Sequence, residues 1–103
     1  MKKRVFIIHG WEGNPDIHWF PWLRKELKHR GYEVIVPRMP NVMNPEFKSW
    51  ISYLKEIVTS PDGNTFFVGH SLGCIAVLRF IETLKEEVGG AVLVAGFGKD
   101  LEY

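Results

Sequence analysis

Gly69-His70-Ser71-Leu72-Gly73 is the stretch of this sequence best suited to chemistry. It fits G-x-S-x-G, a pattern in which a serine sits on a strained strand-to-helix turn with its hydroxyl presented as a nucleophile. A residue held at an unfavourable backbone angle crowds its neighbours, so the positions two before and two after it must lack side chains, which glycine alone provides. A helix that begins just after the serine aims its first amides, and the positive end of its dipole, at negative charge forming beside Ser71. The chemistry implied is attack on a carbonyl carbon, with amide donors holding the oxyanion that results. The N–H of Leu72 is one such donor, and an N–H from the loop after the first strand, at Trp11, is expected to be the second. Each donor of this kind lowers a barrier by about 3 kcal/mol, so loop geometry outweighs the identity of the tryptophan side chain.

The elements around the motif must place it. Thr65 to Val68 reads as an apolar strand entering the turn, and a helix is expected from Leu72 to about Glu87, burying Ile75, Ala76 and Leu78, with Ile81 at its margin. Earlier, Lys3 to Ile8 is a short continuous apolar run that ends in a glycine-rich loop from His9 to Pro15. Such a run suits a strand covered on both faces. Trp19, Trp22, Leu23 and Leu27 recur at helical spacing, giving a helix from about His18 to Arg30 that stops at Gly31, with Pro21 in its first turn. Tyr32 to Val36 is a second strand, closed by Pro37, and the Arg38 to Asn44 loop is placed to overhang a site. Asn44-Pro45 reads as a capped helix start, followed by an apolar face of Phe47, Trp50, Ile51, Leu54, Ile57 and Val58. Gly89-Gly90 opens a fourth strand, Ala91 to Ala95.

Strands alternating with helices predict an α/β fold with a parallel sheet of four strands and helices on both faces. Right-handed crossovers favour the spatial order 2-1-3-4. That order puts a topological switch point between the first and third strands, where ligands bind beyond the strand ends. The loops His9 to Pro15 and Gly69 to Gly73 should therefore converge. Among the histidines, His9 at the end of the first strand is expected to brace the oxyanion loop by hydrogen bonding rather than to act as a base. His70 is read as structural, His18 as lining the crevice entrance, and His29 as complementing a helix C-terminus. Asp16 and Glu12 are read as solvated loop residues.

Length and composition exclude several classes. A chain of 103 residues allows one domain, and 46% hydrophobic with 24% charged residues is ordinary for a globular protein. A net charge of +1 without a basic stripe argues against nucleic acid or anionic membrane as partners. The apolar run after Met1-Lys2-Lys3-Arg4 is too short for an export signal, and no segment has the length of a membrane span. The lone Cys74 reads as a buried structural thiol, which favours the cytoplasm. Neither G-x-G-x-x-G nor a G-x-x-x-x-G-K-[ST] loop occurs, and no cofactor or metal is expected.

The chain resembles the first half of an α/β hydrolase, and in particular the small serine hydrolases of the retinoblastoma-binding protein nine type. The residues that carry the resemblance are Val5 to Gly10, His18 to Leu23, the Pro37 to Asn41 loop, Phe67 to Gly73 and Val92 to Phe97. It implies that residues 1–103 form the N-terminal part of one α/β-hydrolase domain, an incomplete version of that fold. It also implies that Ser71 is the nucleophile and that small carboxylic esters are the substrates. In that family an acid and then a histidine follow the serine. Here His9, His18, His29 and His70 all precede Ser71, and Asp100 and Glu102 are the only acids after the fourth strand. No residue matches the catalytic histidine. Two functions follow: an esterase completed by further chain, or a non-catalytic half that binds a partner or self-associates through its exposed fourth strand.

Overall fold

Four apolar segments, β1 (Arg4–Ile8), β2 (Glu33–Ile35), β3 (Thr65–His70) and β4 (Gly90–Val94), pair in parallel in the order β2-β1-β3-β4. The computed structural model describes residues 2–10, 15–16, 19–41, 43 and 46–94. The connecting helices are α1 (Phe20–His29), α2 (Phe47–Ile57) and α3 (Leu72–Glu82). The α/β class and the strand order expected from the sequence are those observed.

Alternation along β1 divides the core in two. Phe6 and Ile8 point to one face and pack with Trp50, Leu54, Phe67, Val77 and Phe80 under α2 and α3. Val5 and Ile7 point to the other and pack with Phe20, Val34 and Val68 beneath α1. Right-handed crossovers demand this split, because the chain moves one way from β1 to β2 and the opposite way from β2 onward to β3 and β4. One helix therefore serves one face and two serve the other. The face with α1 alone keeps an open apolar trough of about 750 Å³, lined in part by Trp19, Leu23, Phe66, Val68, Val92 and Val94. β4 is correspondingly exposed: Val92 is 60%, Leu93 41% and Val94 37% accessible.

Several boundaries differ from expectation, each for a local reason. α1 begins at Phe20 with Pro21 in its first turn and ends in a Schellman motif: Tyr32 N–H bonds Leu27 O at 3.0 Å, and Gly31, at φ 93°, bonds Lys28 O at 3.0 Å. α2 starts at Phe47, with extended Glu46 as the N-cap accepting from Trp50 N–H; Asn44 and Pro45, the expected start, lie outside the described residues. β3 runs on through His70, because Gly69 still pairs with Ile8 and His70 with Val94. α3 ends at Glu82 rather than near Glu87. The last turn tightens instead: Thr83 N–H bonds Phe80 O at 2.9 Å and Leu84 N–H bonds Ile81 O at 3.0 Å, with the Thr83 hydroxyl also donating to Phe80 O at 2.7 Å. Leu78, expected inside, is 46% exposed: α3 buries Gly73, Cys74, Ala76, Val77 and Phe80, and Leu78 falls outside that stripe.

Candidate functional site

The site is built where β1 and β3 end side by side, with Ile8 opposite Gly69. Ser71, next after His70 at the end of β3, sits at φ 56° and ψ −123°, a conformation that L-residues avoid. Holding it there costs of order 1–3 kcal/mol, which the surrounding contacts must offset. Those contacts are backbone contacts made possible by three glycines. A Cβ on Gly73 would overlap the Ile8 carbonyl oxygen and lie 2.8 Å from His9 O, so the start of α3 sits directly against the end of β1. A Cβ on Gly69 would lie 2.9 Å from Cys74 Cα. On the facing loop, a Cβ on Gly10 would lie 2.9 Å from both His70 O and Ser71 Cβ, and 3.2 Å from Leu72 N. Gly10, just past the end of β1, therefore meets the turn at Ser71, while residues 11–14 of that loop lie outside the described residues.

The strained backbone also decides what the hydroxyl does. Ser71 occupies the N-cap of α3, a position where serine ordinarily bonds an amide of the first turn. It makes no such side-chain bond here, because its φ is far from the extended values that capping uses. Its own N–H bonds Val94 O at 3.0 Å and its carbonyl accepts from Cys74 N–H at 2.9 Å, fixing the turn on both sides. Ser71 and Leu72 are both partly accessible. The Leu72 N–H belongs to the first turn of α3, where no intrahelical carbonyl is in reach. A serine hydroxyl next to such an amide is an arrangement that can attack a carbonyl, once a base takes its proton, and hold the charge that develops. Beneath it, Cys74 is buried with its thiol donating to Gly69 O at 3.3 Å, and burial raises its pKa.

His9 is fully buried, and both ring nitrogens are engaged. Met39 N–H donates to Nε2 at 3.0 Å, so in the neutral ring the proton sits on Nδ1, which donates to Gly10 O at 3.0 Å. Burial lowers its pKa, an effect opposed by the Gly10 bond and assisted by the charge of Arg38. The His70 ring lies edge-on to Trp19 and Phe20, at 5.5 and 5.7 Å between centroids. His29 is in the last turn of α1, which returns toward the amino ends of the strands, away from Ser71. Asp16 lies 3.7 Å from Arg38 in an exposed pair. Trp11, Glu12 and His18, along with Asp100 and Glu102, lie outside the described residues. Sequence reasoning missed two contacts that tie down the loop after β2: Met39 N–H on His9, and Trp50 Nε1–H on Pro40 O at 2.6 Å. A tryptophan on the buried face of a helix, whose N–H must find an acceptor, was the available signal for the second.

A parallel α/β sheet thus carries a strained serine between β3 and α3, with Gly10 packed against it from the end of β1. The chain belongs to the serine hydrolase family, whose model matches residues 5–102. It is 43% identical to the putative hydrolase YdeN of Bacillus subtilis (strain 168), over 98% of this chain and 54% of that protein. It is 31% identical to the serine hydrolase RBBP9 of Rattus norvegicus, over 96% of this chain and 53% of that protein. The crystal structure of the ydeN gene product from B. subtilis superposes with a TM-score of 0.84 at 40% identity, covering 89% of this chain and 50% of that one. The chain thus spans about half the length of the curated relatives it matches.

Proposed function

We propose that Ser71 is the nucleophile of a serine hydrolase acting on small carboxylic esters, on a nucleophile elbow formed by Gly69 to Gly73. Its Oγ attacks the ester carbonyl carbon while a base takes the hydroxyl proton. The oxyanion is held by the N–H groups of Leu72 and Trp11, and its collapse, with the base returning the proton to the leaving oxygen, expels the alcohol and leaves an acyl-serine that water then cleaves. The backbone angle of Ser71, kept strained between glycine contacts, is the observation that carries this reading. His9 is a poor candidate for the base, since both its nitrogens are occupied. The acid and base are assigned instead to the remaining half of the fold, in the order serine, acid, histidine, with residues 1–103 as the N-terminal part of one domain. A cytoplasmic setting goes with the buried, unpaired Cys74. The test is labelling with a fluorophosphonate probe: the wild type should react and Ser71→Ala should not, whereas equal labelling of both counts against the proposal.

The exposed β4 edge favours a second reading, in which this half binds without turnover. Apolar residues on a strand whose outer edge has no neighbour among the described residues are a template for another strand, and the simplest partner is a second copy. Association in solution is expected. A monodisperse monomer at micromolar concentration by light scattering would remove this reading.

A further inference from the structure

We propose that the outer edge of β2 is a docking site for an extended acidic peptide, which adds to the sheet as a strand and places carboxylates against Arg24 and Arg38. The site is separate from Ser71 and does not depend on the role of that serine. A cavity of about 410 Å³ lies against Val34, Ile35 and Val36 in succession and is walled by Pro21 and Arg24 of α1 and by Arg38. Side chains alternate along a strand, and here Val34 and Val36 pack on the α1 side of the sheet while Ile35 packs on the side of α2 and α3. A cavity over one face would touch only every second residue. Contact with three in a row puts it at the sheet edge.

The pairing of β2 decides what that edge offers. Alternate residues of a parallel strand bond the same neighbour, and Glu33 N–H bonds Lys3 O at 2.9 Å, with Val34 opposite Val5. Glu33 and Ile35 therefore bond β1, while Val34 and Val36 turn their N–H and C=O groups outward. Among the described residues no strand lies beyond β2 and none offers these outward groups a backbone partner. Alternating donors and acceptors match an extended peptide, which carries the same row, whereas a small anion would use the donors and be repelled by the carbonyls. Pro37 has no N–H, so the row of donors ends at Val36.

Charge then selects the peptide. Arg24 has no carboxylate partner among the described residues. Arg38 has Asp16 at 3.7 Å, but both side chains are exposed, and a pair of that kind is readily exchanged for an incoming carboxylate. Two guanidinium groups against one carboxylate leave the cavity positive. Glu33, at the amino end of β2, disfavours acidic residues at that end, so the acidic positions belong toward Val36.

The test is titration of the ¹⁵N-labelled chain with a short capped peptide of alternating valine and glutamate, followed by amide shifts and hydrogen exchange. Saturable shifts should centre on the Val34 and Val36 amides, whose exchange should slow by about tenfold or more at saturation. Arg24→Glu and Arg38→Glu should each raise the half-saturating concentration about tenfold, the scale of one lost charge-assisted contact. The same peptide with lysine in place of glutamate should bind the wild type more weakly by a similar factor, and this comparison decides alone if the variants do not fold. Equal binding of the two peptides, shifts centred away from β2, or no saturable shift overturns the proposal. Glutarate that alone reproduces the Val34 and Val36 shifts also overturns it, leaving a small-anion site.

Discussion

Ser71→Gly should make this protein more stable while abolishing its reactivity. The prediction follows from φ 56° and ψ −123°, which penalise any residue with a Cβ by about 1–3 kcal/mol and glycine hardly at all. Against that gain stands the extra freedom glycine gives the unfolded chain, about 0.5–1 kcal/mol. The balance is about 1 kcal/mol in favour of Ser71→Gly over Ser71→Ala, since alanine keeps the Cβ and with it the strain. For a domain of this size such a difference corresponds to about 4–8 °C in Tm. Chemical denaturation of the two variants, followed by circular dichroism, measures it directly, and comparing Gly with Ala removes any contribution of the hydroxyl. At an unstrained position glycine would be the less stable of the two. That ordinary result would refute the idea that the turn stores strain at this residue.

Other consequences can be checked with similar means. Gly73→Ala should destabilise the fold by about 3 kcal/mol or more, seen as a lower denaturation midpoint, because the new Cβ meets backbone oxygens of Ile8 and His9 that cannot rotate aside. Stability should fall as pH drops through 6.5: the lowered pKa of His9 means the unfolded chain takes up its proton first, so the contribution present above 6.5 is lost until the folded pKa is reached. Denaturation midpoints measured from pH 7.5 to 5 should show this slope in the wild type and a shallower one in His9→Asn. Val92→Lys should reduce any self-association detected by light scattering without lowering Tm, since that side chain is 60% exposed.

The topology of the sheet was readable because continuous apolar runs separated by helical spacing admit few right-handed windings, and glycines bracketing Ser71 required close backbone approaches on both sides of the turn. What was not readable depends on long-range partners. Nothing near His9 in sequence announces Met39 as its donor, since the contact exists only after β1 and β2 pair. The end of α3 was misplaced because Leu84 to Glu87 are adequate helix formers, whereas the last turn tightens to bonds from Thr83 N–H to Phe80 O and from Leu84 N–H to Ile81 O, which sequence does not show. Leu78 fits an apolar helical pattern, yet it falls outside the stripe that α3 buries. The base and acid of the proposed mechanism were not identifiable in this chain by any pattern, since every histidine precedes Ser71.

The central claim is that Ser71 presents its hydroxyl beside the first amide of α3. An experimental structure of the chain after reaction with a fluorophosphonate tests it most directly. Phosphorus should be bonded to Ser71 Oγ, with the phosphoryl oxygen about 3 Å from Leu72 N. An adduct on another residue, or a phosphoryl oxygen turned to solvent with Leu72 N–H unengaged, would contradict it.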